Sequence, residues 1–169
     1  MRVRSMLLIT ALSFLEVACA NGPIALTPAE ARVANALAGV WTVSLSLSTA
    51  PFGAESIASA PNIDGQIALL QNSSISTRYA HLAHVTNYGS YKIDFSPFGF
   101  QSPENGRPTS VLAGPFNSDS ITILLSPNQN DVEIRMTGRL TGDSVEGSWS
   151  VAFPRAGLGG GRFAMHKQR

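Results

Sequence analysis

Cysteine is nearly missing from this chain: the 169 residues contain one, Cys19. That scarcity excludes a disulfide framework, and it leaves the rest of the chain no thiol nucleophile and no cysteine metal site. A disulfide-free domain must rely on its own core, which about 150 residues can supply. Charge is also sparse, at 14% of residues, against roughly 25% in typical soluble domains. Past residue 20 the chain carries ten basic and ten acidic residues. A balance of zero gives no electrostatic reason to seek nucleic acid or an anionic membrane surface. Histidine occurs three times, as His81, His84 and His166. No Gly-x-Ser-x-Gly elbow is present, so serine, though plentiful, has no nucleophile signature. The longest N-terminal apolar run, 6–15, is short of the ~20 residues of a membrane span.

What is present at the N-terminus is a targeting pattern. Arg2 and Arg4 precede the apolar run, and Ala18-Cys19-Ala20 fits a small-x-small cleavage site with Asn21 as the new N-terminus. Val17-Ala18-Cys19 also resembles the end of a bacterial lipoprotein signal, which would make Cys19 a lipidation site; Glu16 stands where that motif has an aliphatic residue. Retention as an anchor is the third fate. The chain thus divides into a signal or anchor at 1–20, a tether and short helix at 21–38, and a β-domain at 39–169. The expected location is exported, in the periplasm or on the outer face of a membrane.

Thr27-Pro28-Ala29-Glu30 reads as a helix start: a cap, a proline at the first helical position and the acid of a capping box. Val33 and Leu37 give that helix a thin apolar stripe, suited to plugging a barrel end. Beyond it, apolar residues alternate with Ser, Thr and charged residues in 40–47, where Trp41, Val43, Leu45 and Leu47 share one face. Similar runs occupy 65–71, 78–86, 91–96, 120–125, 131–140, 145–151 and 162–167, with 110–113 as a further short strand. Thr141-Gly142-Asp143-Ser144 is a tight hairpin turn. The glycine run 157–161 reads as a flexible hairpin loop, because a phosphate cradle would lead into a helix. The expected fold is all-β: an antiparallel up-and-down barrel of about eight strands with one short N-terminal helix. A β-sandwich is the alternative.

A phrase occurs twice: Gly39-Val40-Trp41 and Gly147-Ser148-Trp149. A short helix followed by Gly-x-Trp and then an up-and-down series of strands resembles the lipocalins and the wider calycin pattern. The resemblance implies that Gly39 and Trp41 close one barrel end and that a basic residue of the last strand, matched here to Arg162, packs on the indole. It also implies a carrier of a small apolar ligand. Trp149 in the second copy is a further barrel-closing residue.

The reactive side chains do not assemble. His81 and His84 are three apart and would point to opposite faces of a strand. Asp94, Glu133, Asp143 and Glu146 fall on outward positions or turns. The expectation is therefore no enzyme, no metal and no cofactor. Phe52, Phe98, Phe100 and Phe116 sit in turn-rich loops, where an unpacked ring costs solubility. With Arg107 as a polar anchor they form the expected contact surface for a protein partner, a membrane-bound complex to which this domain is an accessory subunit. The alternative is a carrier holding a small lipophilic ligand inside the barrel. Many large inward side chains, Trp41, Phe95, Ile123, Trp149 and Phe163 among them, favour the first.

Overall fold

The computed structural model describes residues 24–49, 62–72, 74–75, 85–98, 109–115, 120–125, 133–153 and 157–169. Along the chain come β1 (Ile24–Ala25), α1 (Pro28–Leu37), β2 (Gly39–Thr49), β3 (Ile63–Gln71), β4 (Ser74–Ile75), β5 (Asn87–Ile93), β6 (Ser110–Pro115), β7 (Ile121–Leu125), β8 (Glu133–Thr141), β9 (Ser144–Phe153) and β10 (Gly157–Lys167). Eight of the strands close into a barrel in the order β10-β2-β3-β5-β6-β7-β8-β9, every neighbour antiparallel. β1 and β4 form a separate two-stranded pair. This is the expected up-and-down barrel with its N-terminal helix, and closure excludes the sandwich.

Period-2 alternation decides what the barrel encloses. Trp41, Val43 and Leu45 of β2, Ile67 and Leu69 of β3, Ile123 and Leu125 of β7, Met136 of β8, Trp149 of β9 and Phe163 and Met165 of β10 are all buried in one continuous cluster. The partner positions outside are Thr42, Ser44 and Ser46 on β2 and Glu146, Ser148 and Ser150 on β9. Membrane-spanning barrels have the opposite polarity, with apolar side chains outward.

The helix starts as its sequence dictates. Thr27 Oγ1 accepts from the Glu30 N–H at 3.3 Å, and the Thr27 N–H donates to Glu30 Oε2 at 2.8 Å, the reciprocal pair of a capping box. Its C-terminus carries no basic residue of its own. The carbonyls that every helix leaves open there are met by the barrel instead. Lys167 Nζ donates to Ala36 O at 2.8 Å and Trp41 Nε1 to Leu37 O at 2.8 Å, while Asn87 Nδ2 adds a second bond, at 2.9 Å, to Ala34 O, which also accepts the Ala38 N–H. Three strands, β5, β10 and β2, thus hold α1 across one end. Leu37 and Ala34 are fully buried beneath it.

Three local expectations change. The strand placed at 91–96 is β5, which begins at Asn87 and stops at Ile93. Asp94 Oδ1 accepts the Ser96 N–H at 2.9 Å and turns the chain into a 3-10 turn, Ser96–Phe98. The short run at 110–113 is the full barrel strand β6. The glycine run is strand rather than loop: it forms the first half of β10, with a bulge between Gly160 and Gly161. A Cβ on Gly161 would lie 1.7 Å from Ser46 O, so side-chain-free residues are what let β10 approach β2 there. Of the strand expected at 78–86, only Val85 and Thr86 are described, and they precede β5.

Candidate docking surface on the barrel wall

The residues expected to close the barrel separate into two groups. Trp41 is fully buried under α1. Gly39, just before it, has φ +130° and lies against the Lys167 stem; a side chain there would meet both a strained backbone and an occupied space. The cation over the Trp41 ring is Lys167, with Nζ 5.6 Å from the centroid. It is not Arg162. Residue 162 pairs with Ser46 and Ser148 and stands exposed on the outer face, an odd number of positions from Lys167 and therefore on the other side of the strand. Arg162 borders a shallow depression of about 330 Å³ with Ser44, Ser46, Asn62 and Glu146.

Trp149 closes the other end. Its Nε1 donates to Ser46 O at 3.0 Å, and Phe98 stacks on its ring at 5.6 Å with 6° between the planes. Phe98 is only 5% exposed. The expectation that it faces a partner is therefore corrected: the 3-10 turn folds the ring back over the barrel, where stacking and burial outweigh exposure. Phe52, Phe100, Arg107, Phe116, Cys19, His81 and His84 lie outside the described residues.

Reactive groups meet at one point. Ser144 Oγ and His166 Nδ1 are 3.0 Å apart on the outer face, where β9 faces β10. Among the described residues His166 is the single histidine, and no group of three or more His, Cys, Asp or Glu comes together.

The surface that stands out is one the loops did not announce. On four consecutive strands one outward position is apolar, and the four align in a row. Leu70 on β3 faces Tyr88 on β5, Tyr88 faces Leu112 on β6, and Leu112 faces Leu124 on β7. One end of this row is covered by the chain itself: Leu124 is 1% exposed and packs with Val85 and Leu112. The other end is open. Leu70 is 59% exposed and Tyr88 46%, with Val40 of β2 at 40%. Val40 sits opposite Ala68, two residues before Leu70 on β3. Among the described residues, the neighbouring outward strand positions Thr42, Gln66, Ser90 and Ser110, with Asn72 and Gln168, are uncharged.

A sequence signal for it existed. Leu69-Leu70, Val111-Leu112 and Leu124-Leu125 are places where strict alternation breaks into apolar pairs, the mark of a strand covered on both faces. On β2 and β9 no such pair interrupts the polar outer face between Thr42 and Ser46 or between Ser144 and Ser150, and on β10 the one apolar outer residue between Arg162 and His166 is the small Ala164.

The closed eight-stranded meander is consistent with a lipocalin-like fold, while no protein-family model matches the chain and no curated protein is significantly similar to it.

Proposed function

We propose that this chain is a non-enzymatic interaction module of the bacterial envelope, an accessory subunit that docks onto a larger membrane-bound assembly through the outer wall of β2, β3 and β5. One observation carries the reading. Val40, Leu70 and Tyr88 are exposed side by side on a barrel whose inward positions are filled by its own core. Large exposed apolar groups in contact with one another mark interaction sites, whereas single ones do not. Tyrosine is enriched where protein surfaces meet. The occupied interior speaks against the carrier alternative, since an eight-stranded barrel has room for either its side chains or one small ligand. Phe98 is withdrawn from the contact surface by its burial. Phe52, Phe100, Arg107 and Phe116 carry no weight in the reading.

The experiment is affinity purification of the tagged full chain from gently solubilised envelopes, beside the double variant Leu70→Ser, Tyr88→Ser. Wild type brings a stoichiometric membrane protein, and the variant loses it while melting within about 0.5 kcal/mol of wild type, as exposed substitutions do. A wild-type monomer carrying a small lipophilic molecule, and no protein, overturns the proposal in favour of a carrier.

A further inference from the structure

We propose that the outer face of β9 and β10 holds a site for a small zwitterion of the amino-acid class, which places its carboxylate on the Arg162 guanidinium and its ammonium on the Glu146 carboxylate. The site shares no residue with the apolar row of β3, β5, β6 and β7, so it stands apart from the docking reading.

The surroundings of Arg162 supply the first argument. Its cross-strand partners are Ser46 on β2 and Ser148 on β9. Two residues before and after it on β10 come Gly160 and Ala164. All four neighbours are small, so the exposed guanidinium stands clear of bulk. It borders two depressions. One, of about 310 Å³, lies over Gly159, Gly160 and Gly161, and the other, of about 330 Å³, lies beside Ser44 and Ser46. Both are at the lower end of ligand sites, about 300–1,000 Å³, a size that suits a small molecule.

Charge supplies the second argument. Glu146 lines the second depression together with Arg162. It stands two residues from Ser148 on β9 and so is diagonal to Arg162. Diagonal neighbours are about 7–8 Å apart, within reach of long side chains. The two opposite charges nonetheless form no ion pair with each other, and neither enters the pairs Arg135–Glu133 or Arg169–Asp143. A fork of N–H donors and an acceptor-only carboxylate thus face one small space. A carboxylate matches the guanidinium bidentately. A ligand with negative charge alone is repelled by Glu146, and one with positive charge alone by Arg162. A zwitterion meets an opposite charge at each end.

The rim supplies the third. Ser44 and Asn62 complete the lining with a hydroxyl and an amide that donate or accept as the ligand requires. The rest of the ligand extends over the glycines of the first depression, where missing side chains let a bound molecule approach the backbone.

The test titrates the isotope-labelled full chain in detergent with L-alanine, propionate, alaninamide, glucose and inorganic phosphate, and follows backbone amide shifts by NMR. L-alanine should give saturable shifts at Gly160, Gly161, Arg162 and Ala164, with propionate and alaninamide binding about tenfold more weakly. Arg162→Lys keeps the charge but loses the fork, and should weaken L-alanine about tenfold. Glu146→Gln should bring L-alanine down to the affinity of propionate. Both residues are exposed, so both variants should melt with wild type. Absence of saturable shifts with L-alanine overturns the proposal. Propionate binding as tightly as L-alanine to wild type removes the role of Glu146 and overturns the zwitterion. Saturation by glucose or phosphate in place of L-alanine overturns the ligand class, and unchanged binding in Arg162→Lys overturns the place.

Discussion

Trp41 and Trp149 each follow a Gly-x motif, each points into the barrel, and each donates its indole N–H to a backbone carbonyl, at 2.8 and 3.0 Å. What meets them differs. Trp41 donates to the last turn of α1, under a helix that Asn87 and Lys167 also hold by its carbonyls. Trp149 donates past β10 to Ser46 O of β2 and is covered by the flat face of Phe98. One tryptophan is covered by a helix held through its carbonyls, the other by a stacked ring. The same local phrase therefore specifies an inward tryptophan, near the start of β2 and in the middle of β9, and nothing more. The kind of closure comes from partners far along the chain, 131 residues away in the case of Lys167 and Ala36.

The largest expected effect tests whether the two ends share one core. Trp41→Ala and Trp149→Ala should each destabilise by about 3–5 kcal/mol, the usual cost of emptying a large aromatic site. Both side chains belong to a single cluster, so chemical denaturation should show one transition in each variant. Two separate transitions would break the comparison by making the ends independent units.

Phe98→Ala comes next, at about 3 kcal/mol. A partner-facing ring would leave melting unchanged; at 5% exposure it should not. The readout that sharpens the contrast is tryptophan fluorescence. Loss of Phe98 should shift the emission of Trp149 to the red and leave that of Trp41, beneath the helix, where it was. Lys167→Met is smaller. It removes a charged hydrogen bond to Ala36 O and the cation over Trp41 while keeping a long stem against Gly39. About 1–2 kcal/mol is expected for a charged hydrogen bond of this kind, measured as a shift of the urea midpoint with unchanged slope.

The barrel itself was legible because its strands alternate. Trp41, Val43 and Leu45 against Thr42, Ser44 and Ser46 leave one face to bury. The capping box at Thr27 and Glu30 was equally readable, since all its parts lie within four residues. Two things were not. Gly157–Gly161 looks like a loop in any local reading, and only the approach of Ser46 from β2 explains why those residues form strand. Lys167 lies five residues beyond Arg162, and only the parity of β10 and the position of α1 decide which cation reaches the indole. The exposed apolar row was visible only as broken alternation at Leu69-Leu70, Val111-Leu112 and Leu124-Leu125. Whether such a pair is covered by its own chain, as Leu124 is, or left open, as Leu70 is, depends on where Val85 runs.

Thr27→Ala is the smallest effect and probes the helix from its free end. The variant removes the acceptor for the Glu30 N–H and the hydroxyl that bonds Glu30 Oε2, while the Thr27 N–H can keep its bond to the same carboxylate. Loss of an N-cap side chain costs about 1 kcal/mol. All of it should come from α1, because Thr27 is exposed and joins no core cluster. Combined with Lys167→Met, the two losses should add, since one acts at the first turn and the other at the last of a ten-residue helix, and distant sites add within about 0.3–0.5 kcal/mol. A combined loss well above the sum would mean that the helix detaches as a unit once both ends are weakened. In that case α1 is a hinged lid on the Trp41 end, with no counterpart at the end where Phe98 covers Trp149.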